Sequence, residues 1–216
     1  MNPAEPKLNT AVYIHRRLRE AIIEGQLQSG SAIRQDEIAA RYGVSKIPVR
    51  EALVLLEAEG FVTSQPGRGA SVTELSAAEV EEIYLMRLGL ETILLERSLP
   101  NLTPLDFART EGILHALDSD NLDPLAWQQL DREFHSGLYR GANLPRIQAT
   151  VANLHGNLAR YYTVYQSFGE TFRVQGQQEH RAILDACRRQ ENAEACDLLR
   201  HHLTRSSSTL IEQLTK

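Results

Sequence analysis

Apolar residues recur along this chain mostly at the three- and four-residue step of amphipathic helices, and one short stretch breaks that rhythm. Ile14, Leu18, Ala21 and Ile22 share one face of a segment that closes near Gly25. "RQDEIAARYG" predicts a short helix, acidic in its first turn and stopped by Gly43. After a Gly43-Val44 turn, Ser45 stands where an N-cap belongs. Lys46, Ile47 and Pro48 make the first turn of the next helix, where proline forfeits no intrahelical hydrogen bond. Val49, Ala52, Leu53 and Leu56 then form a buried stripe, and Gly60 suits a left-handed cap. The break comes in "FVTSQPGRGASV", two β-prone runs around a Pro66-Gly67-Arg68-Gly69 tip. Helix, helix-turn-helix and hairpin together predict a winged helix-turn-helix over residues 1–75.

From residue 76 to residue 216 the helical period returns and stays. Ser76 to Glu79 reads as a capping box opening a long helix, with Val80, Ile83, Tyr84 and Leu88 on one stripe and Leu90, Ile93 and Leu94 on a second. Thr103-Pro104-Leu105-Asp106 caps another, and periodic segments follow at about 125–140, 145–167, 170–190 and 192–213. No strand pattern and no internal repeat interrupts them. The fold class is mostly α: a winged helix-turn-helix followed by an all-α bundle of about six helices, large enough for an internal pocket.

Anchored by its body, the helix after Ser45 leaves its start free to present Ser45, Lys46, Ile47 and Arg50. Free N–H groups and the positive dipole end make such a start suited to phosphate. Net charge changes this picture. The 216-residue chain carries −5, residues 1–75 balance nine basic against nine acidic side chains, and all the excess acid lies in the remainder. Nucleic-acid binding must therefore come from a focused patch, Arg34, Arg41, Lys46, Arg50 and Arg68, doubled in a symmetric dimer that reads a palindrome.

In the helical part, Asp131 and His135 stand at i, i+4 on one face beside Leu130, Phe134 and Leu138. His180 precedes the Ile183-Leu184 stripe, and His202 follows Leu199 on the inward side of the last helix. One carboxylate and three imidazoles from three helices suit a first-row transition metal. Spacing alone leaves this level with ordinary hydrogen-bonded core histidines and a surface Asp–His pair.

The chain also resembles a known family. "IRQDEIAARYGVSKIPVREALVLLEAEGFVTSQPGRGASV" is similar to the N-terminal domain of the GntR family of bacterial transcription regulators, through Val44 to Leu53, Leu56, Gly60 and Gly67-Arg68-Gly69. The resemblance implies that Lys46 and Arg50 touch DNA from the recognition helix and that Gly67 and Arg68 enter the minor groove. Lys46 departs from the family's arginine, Ile47 from a polar residue, and Asp36 from an arginine found in some branches. From about residue 78 the chain resembles the FCD-type domain of the FadR-like branch. There Asp131, His135, His180 and His202 match four residues that hold a divalent metal, with carboxylate effectors beside it. His201 is rotated about 100° from His202 and faces outward.

These readings give a regulator, a repressor acting as a homodimer on a palindromic operator, holding one zinc or nickel ion per chain and answering to a small organic acid. Arg87 and Arg160 are the candidates for the acid's forked partner. A metal-dependent hydrolase is the rival, since such donors also build hydrolase sites, although no further general base stands in a motif beside them. A purely structural metal, with acyl-chain binding or a partner protein as the signal, is another. Cys187 and Cys196 lack C-x-x-C spacing and read as buried thiols of a reducing compartment. With no apolar core in "MNPAEPKLNT" and no apolar run beyond the five residues Ala52 to Leu56, a cytoplasmic protein without a membrane span is expected.

Overall fold

The structure, a computed structural model, describes residues 7–65, 69–119 and 122–216. Its residues group into two compact units, one running to Leu75 and including Ala159–Thr163, the other comprising Ser76–Leu158 and Val164–Lys216.

In the first unit, helix α1 (Lys7–Ile23) is followed by a two-residue strand β1 (Ala32–Ile33), α2 (Gln35–Tyr42), α3 (Lys46–Ala58) and the strands β2 (Val62–Gln65) and β3 (Gly69–Val72). Strands β2 and β3 pair antiparallel, Val62 opposite Val72, and β1 adds to the far side of β3. The sequence pattern did not reveal β1; two residues carry no period, and their partner is distant in the chain. Ile14, Leu18 and Ile22 of α1 pack with Val49, Ala52, Leu53 and Leu56 of α3, Phe61 and Val72 in one core. Each of the valine, leucine, isoleucine and phenylalanine side chains contributes roughly 1.5–3 kcal/mol by leaving water. Gly43 ends α2 at φ 64°, its N–H directed to the Ala39 and Ala40 carbonyls, and this left-handed turn aims α3. Ser45 occupies the N-cap of α3, but its side chain makes no capping hydrogen bond, which corrects the expectation that it does. Gly67 and Arg68, expected at the hairpin tip, lie outside the described residues.

In the second unit the long helices are α4 (Ala77–Ser98), α5 (Pro104–Leu117), α6 (Pro124–Leu138), α7 (Pro145–Leu158), α9 (Glu170–Arg188) and α10 (Asn192–Leu214). A four-residue helix α8 (Tyr162–Tyr165) follows α7 in the chain and spans the boundary between the two groups of residues. Ser76 accepts a hydrogen bond from the Glu79 N–H at 3.1 Å, and Thr103 and Asp106 complete a reciprocal capping box. The segment expected to run as one helix over 145–167 instead breaks after Leu158 into a tight turn, Ala159–Tyr161, and then α8. Helix α4 buries Val80, Ile83, Tyr84, Leu94 and Leu95 but also Arg87 and Glu91, while Leu85, Met86 and Ile93 stay exposed. Among the described residues no helix is long and apolar enough to cross a membrane.

Candidate metal centre and nucleic-acid interface

Helices α6, α9 and α10 bring four side chains to one point. Asp131 and His135 come from α6, His180 from α9 and His202 from α10, and one donor atom of each lies within 4.8 Å of all the others. The three imidazoles are buried and Asp131 is half-buried. His180 Nε2 stands 3.3 Å from His202 Nε2 and 3.3 Å from Asp131 Oδ1. Neighbouring donors about 2.0–2.1 Å from one ion lie roughly 3–3.4 Å apart, so these two separations fit adjacent positions on a shared ion. His201, one residue away, is exposed.

The surroundings fix which ring nitrogens face inward. His202 Nδ1 lies 2.7 Å from Glu179 Oε2, and Arg205 holds the same carboxylate with its Nε at 2.5 Å and its second nitrogen at 2.8 Å. The Nδ1–H of His202 therefore donates to Glu179, leaving an unprotonated Nε2 toward His180. His135 Nδ1 is 3.3 Å from the Tyr139 hydroxyl, which itself donates to Glu91 Oε2 at 2.6 Å. A hydroxyl whose proton is committed to Glu91 accepts from His135 Nδ1–H, and His135 Nε2 is left buried without a hydrogen-bond partner. Two lone pairs and a carboxylate thus converge on His180. Such a cluster needs a positive centre among its members, a proton or a metal ion.

Protonation follows burial. Burial lowers His135 and His180 well below the ordinary imidazole range, reinforced for His180 by His202 and His135. Burial also raises the Asp131 carboxyl. Burial alone would raise Glu179, but hydrogen bonds from His202 and Arg205 more than offset it and bring it to about 2. These are the neutral rings and anionic orienting group that a divalent ion requires.

Beside the cluster lies a buried ion pair that the sequence pattern gave no reason to single out. Arg87 Nε meets Glu91 Oε1 at 2.5 Å, Arg87 lies over the Tyr84 ring at 4.8 Å, and His155 Nε2 is 3.3 Å from Glu91 Oε1. Burial works against the Glu91 anion, yet Arg87 and His155 hold its carboxyl well below the ordinary range. Glu91, Tyr139, His155, Glu179 and Arg205 all surround the predicted donors, and only the Arg87-to-Glu91 spacing of four residues was visible beforehand. Arg160 is buried in the turn that follows α7. It belongs to the Ala159–Thr163 segment grouped with the first unit, and its guanidinium lies 5.9 Å over the Phe61 ring. The break after Leu158 carries it there.

The first unit offers a different kind of surface. Lys46 is 63% exposed at the start of α3 and Arg34 75% exposed at the start of α2, and Ser45 and Arg50 are exposed as well. Lys46 Nζ is engaged by Asp36 Oδ1 at 2.5 Å, an exposed pair that a phosphate can replace. At the other end of α3, Glu57 accepts from the Ser64 N–H and hydroxyl, both at 3.0 Å, tying the helix to β2.

Comparison with known proteins matches one family model to each part of the chain. Residues 10–72 match the bacterial regulatory proteins of the gntR family, and residues 82–205 match the FCD domain. The HTH-type transcriptional regulator BphR of Paraburkholderia xenovorans (strain LB400) is 30% identical over 90% of this chain and 82% of its own length. The gluconate operon transcriptional repressor of Bacillus subtilis (strain 168) is 33% identical over 68% of this chain and 61% of its own. The solved structure of E. coli McbR/YncC covers 94% of this chain and 98% of its own, with a TM-score of 0.74 at 21% identity, and shows the shared fold.

Proposed function

We propose, from the premise that this chain belongs to the GntR family of DNA-binding transcription regulators and carries an FCD domain, that it is a repressor whose operator binding is set by a small organic acid bound beside a divalent metal. Its matched relatives are regulators and not enzymes, and the hydrolase reading is set aside. The observation that carries the proposal is the inward set of Nε2 lone pairs, aimed by Glu179 and Tyr139 at the point where His180 and Asp131 also arrive. Asp131, His135, His180 and His202 would hold the ion, zinc or nickel by its nitrogen-rich set, and the ion would supply a Lewis-acidic anchor for a carboxylate.

The chain's own residues define the rest. Arg87 gives its Nε to Glu91, keeps a positive charge beside the donors, and is the arginine that would meet the acid's carboxylate. Arg34, Ser45, Lys46 and Arg50 meet the DNA, and Gly67 and Arg68 are assigned by resemblance to the minor groove. A homodimer on a palindromic operator, in the cytoplasm, completes the reading. Leu85 and Ile93, on either side of Gly89 at helical spacing, stay exposed on α4 with Met86 and give a second copy an apolar surface. Sedimentation at micromolar concentration should show the dimer.

The test uses DNA from upstream of the protein's own gene in an anisotropy titration, with metal-loaded and chelator-stripped protein and a panel of small carboxylic acids. At least one acid should weaken operator binding by the loaded protein and leave the stripped protein unaffected. Identical DNA binding across the panel and in both metal states would refute the proposal.

A further inference from the structure

The solvent face of α3 mixes two chemistries. At about 100° per residue, Lys46 and Arg50 share one edge of it, and Ile47 and Val54 run down its middle, opposite the buried stripe of Val49, Ala52, Leu53 and Leu56. Ile47 is 60% exposed and Val54 64%. Single apolar side chains on a surface are ordinary. What sets Ile47 apart is its place, in the first turn beside Lys46 and one turn before Arg50, whereas Val54 lies about 10 Å further along the axis.

That place selects the partner. Lys46 and Arg50 are exposed and basic, and Arg34 is exposed at the start of α2. Whatever covers Ile47 must therefore bring negative charge with it. Duplex DNA does so, and it takes the first turns of a recognition helix into its major groove. Lys46 is drawn toward Asp36 of α2 at 2.5 Å, and Arg50 stands about 60° round the helix from Ile47. Ile47 thus leads the middle of the face into the groove.

We infer that Ile47 reads a thymine of the operator through its 5-methyl group, within about two base pairs of the pair that Arg50 meets. This rests on the reading of the start of α3 as the DNA-facing surface. Guanine, adenine and cytosine line the major groove with donors and acceptors, N7, O6, N6 and N4, that a side chain of carbon and hydrogen cannot pair. Pressed against them, Ile47 would strip their water and return no hydrogen bond. The thymine methyl is the apolar group of that groove, and contact with it removes carbon from water on both sides. The reach follows from geometry. Side chains three apart on a helix surface lie about 5–6 Å apart, and successive base pairs about 3.4 Å.

The experiment selects, from a pool of random-sequence duplexes, the sites that the full-length protein binds. Each thymine of a selected site is then replaced by deoxyuridine, which lacks only the 5-methyl. In anisotropy titrations of wild type, at least one uracil position per half-site should weaken binding roughly three- to five-fold, the worth of one buried methyl. Ile47→Ala should bind the thymine and uracil forms alike and keep the wild-type melting temperature, because the side chain it trims is exposed. Val54→Ala, which trims an equally exposed apolar side chain, should keep the thymine preference. If no uracil weakens wild type, or if the methyl dependence survives Ile47→Ala, the inference is overturned and DNA binding by α3 still stands. A change of sedimentation in Ile47→Ala with unchanged DNA binding would assign the residue to a protein contact and overturn it as well. Enrichment of no sequence by wild type would overturn the DNA-facing reading of α3 and this inference with it.

Discussion

The start of α3 and the convergence of α6, α9 and α10 solve opposite problems with charged and polar side chains. Lys46, Arg50 and Arg34 are exposed, and the one close partner of Lys46, Asp36, sits in water with it. His135, His180, His202, Arg87 and Glu91 are buried, and Tyr139 and Glu179 orient the rings of His135 and His202. A polyanion is met by long side chains that keep their hydration until contact, and the cost of ordering them is borne on binding. A metal ion needs donors already stripped of water and held in one tautomer, and that cost is borne on folding. Substitutions in the two regions should therefore differ in what they damage: affinity for DNA in the first, stability and metal in the second.

The largest effect is expected at Arg87. Arg87→Ala leaves the Glu91 carboxylate buried without its main counter-charge, and removing one partner of such a pair costs about 3–5 kcal/mol. Thermal unfolding of the helical unit should register it, and replacing both residues by leucine should recover much of the loss. Unchanged melting in the single variant would mean that the pair is more solvated than its burial indicates.

Arg50→Ala comes next and should spare stability. If Arg50 reads a base, operator affinity falls by about 1–3 kcal/mol and preference at that base relaxes. A loss of melting temperature without a loss of operator affinity would place Arg50 among the structural side chains and blur the contrast between the regions.

Glu179→Gln returns to the buried region with a milder change. The amide cannot orient His202 as the carboxylate does, and metal affinity measured by chelator competition should drop roughly ten- to a hundred-fold. It also has a pH signature. Glu179 is lowered from an ordinary 4.5 to about 2, so its contribution to stability is complete above 4.5 and disappears as pH falls toward 2. In metal-free protein, Glu179→Gln should flatten that acidic limb and no other part of the profile.

The smallest effect belongs to Asp36. Asp36→Asn frees Lys46 from its surface partner, and DNA affinity at low salt should rise by roughly two- to five-fold, with the gain fading as salt increases. A decrease would show that Asp36 holds Lys46 in its binding pose.

How much of this could be read in advance follows the same division. The winged unit was legible because its signals are local: Gly43 for a left-handed turn, Pro48 for a first turn, Val49 to Leu56 for a stripe. Its misses were also local in kind, the silent hydroxyl of Ser45 and the two-residue β1. In the helical unit, spacing put Asp131 and His135 on one face but could not bring His180 and His202 to them, because that meeting is tertiary; the family resemblance supplied it. Val151, Leu154, Leu158 and Tyr161 keep an apolar rhythm straight through the break after Leu158, which hid the turn. Glu91 and Glu179 carry no signal in the sequence, because only packing encloses the first and brings Arg205 to the second.

The central claim, that four side chains from three helices hold one divalent ion, is tested most directly by elemental analysis of protein purified without added chelator. Wild type and His201→Ala should each carry close to one zinc or nickel ion per chain, and His135→Ala, His180→Ala and His202→Ala should carry far less. Equal metal content in wild type and the three inward variants, or none in wild type after incubation with either metal, would contradict it.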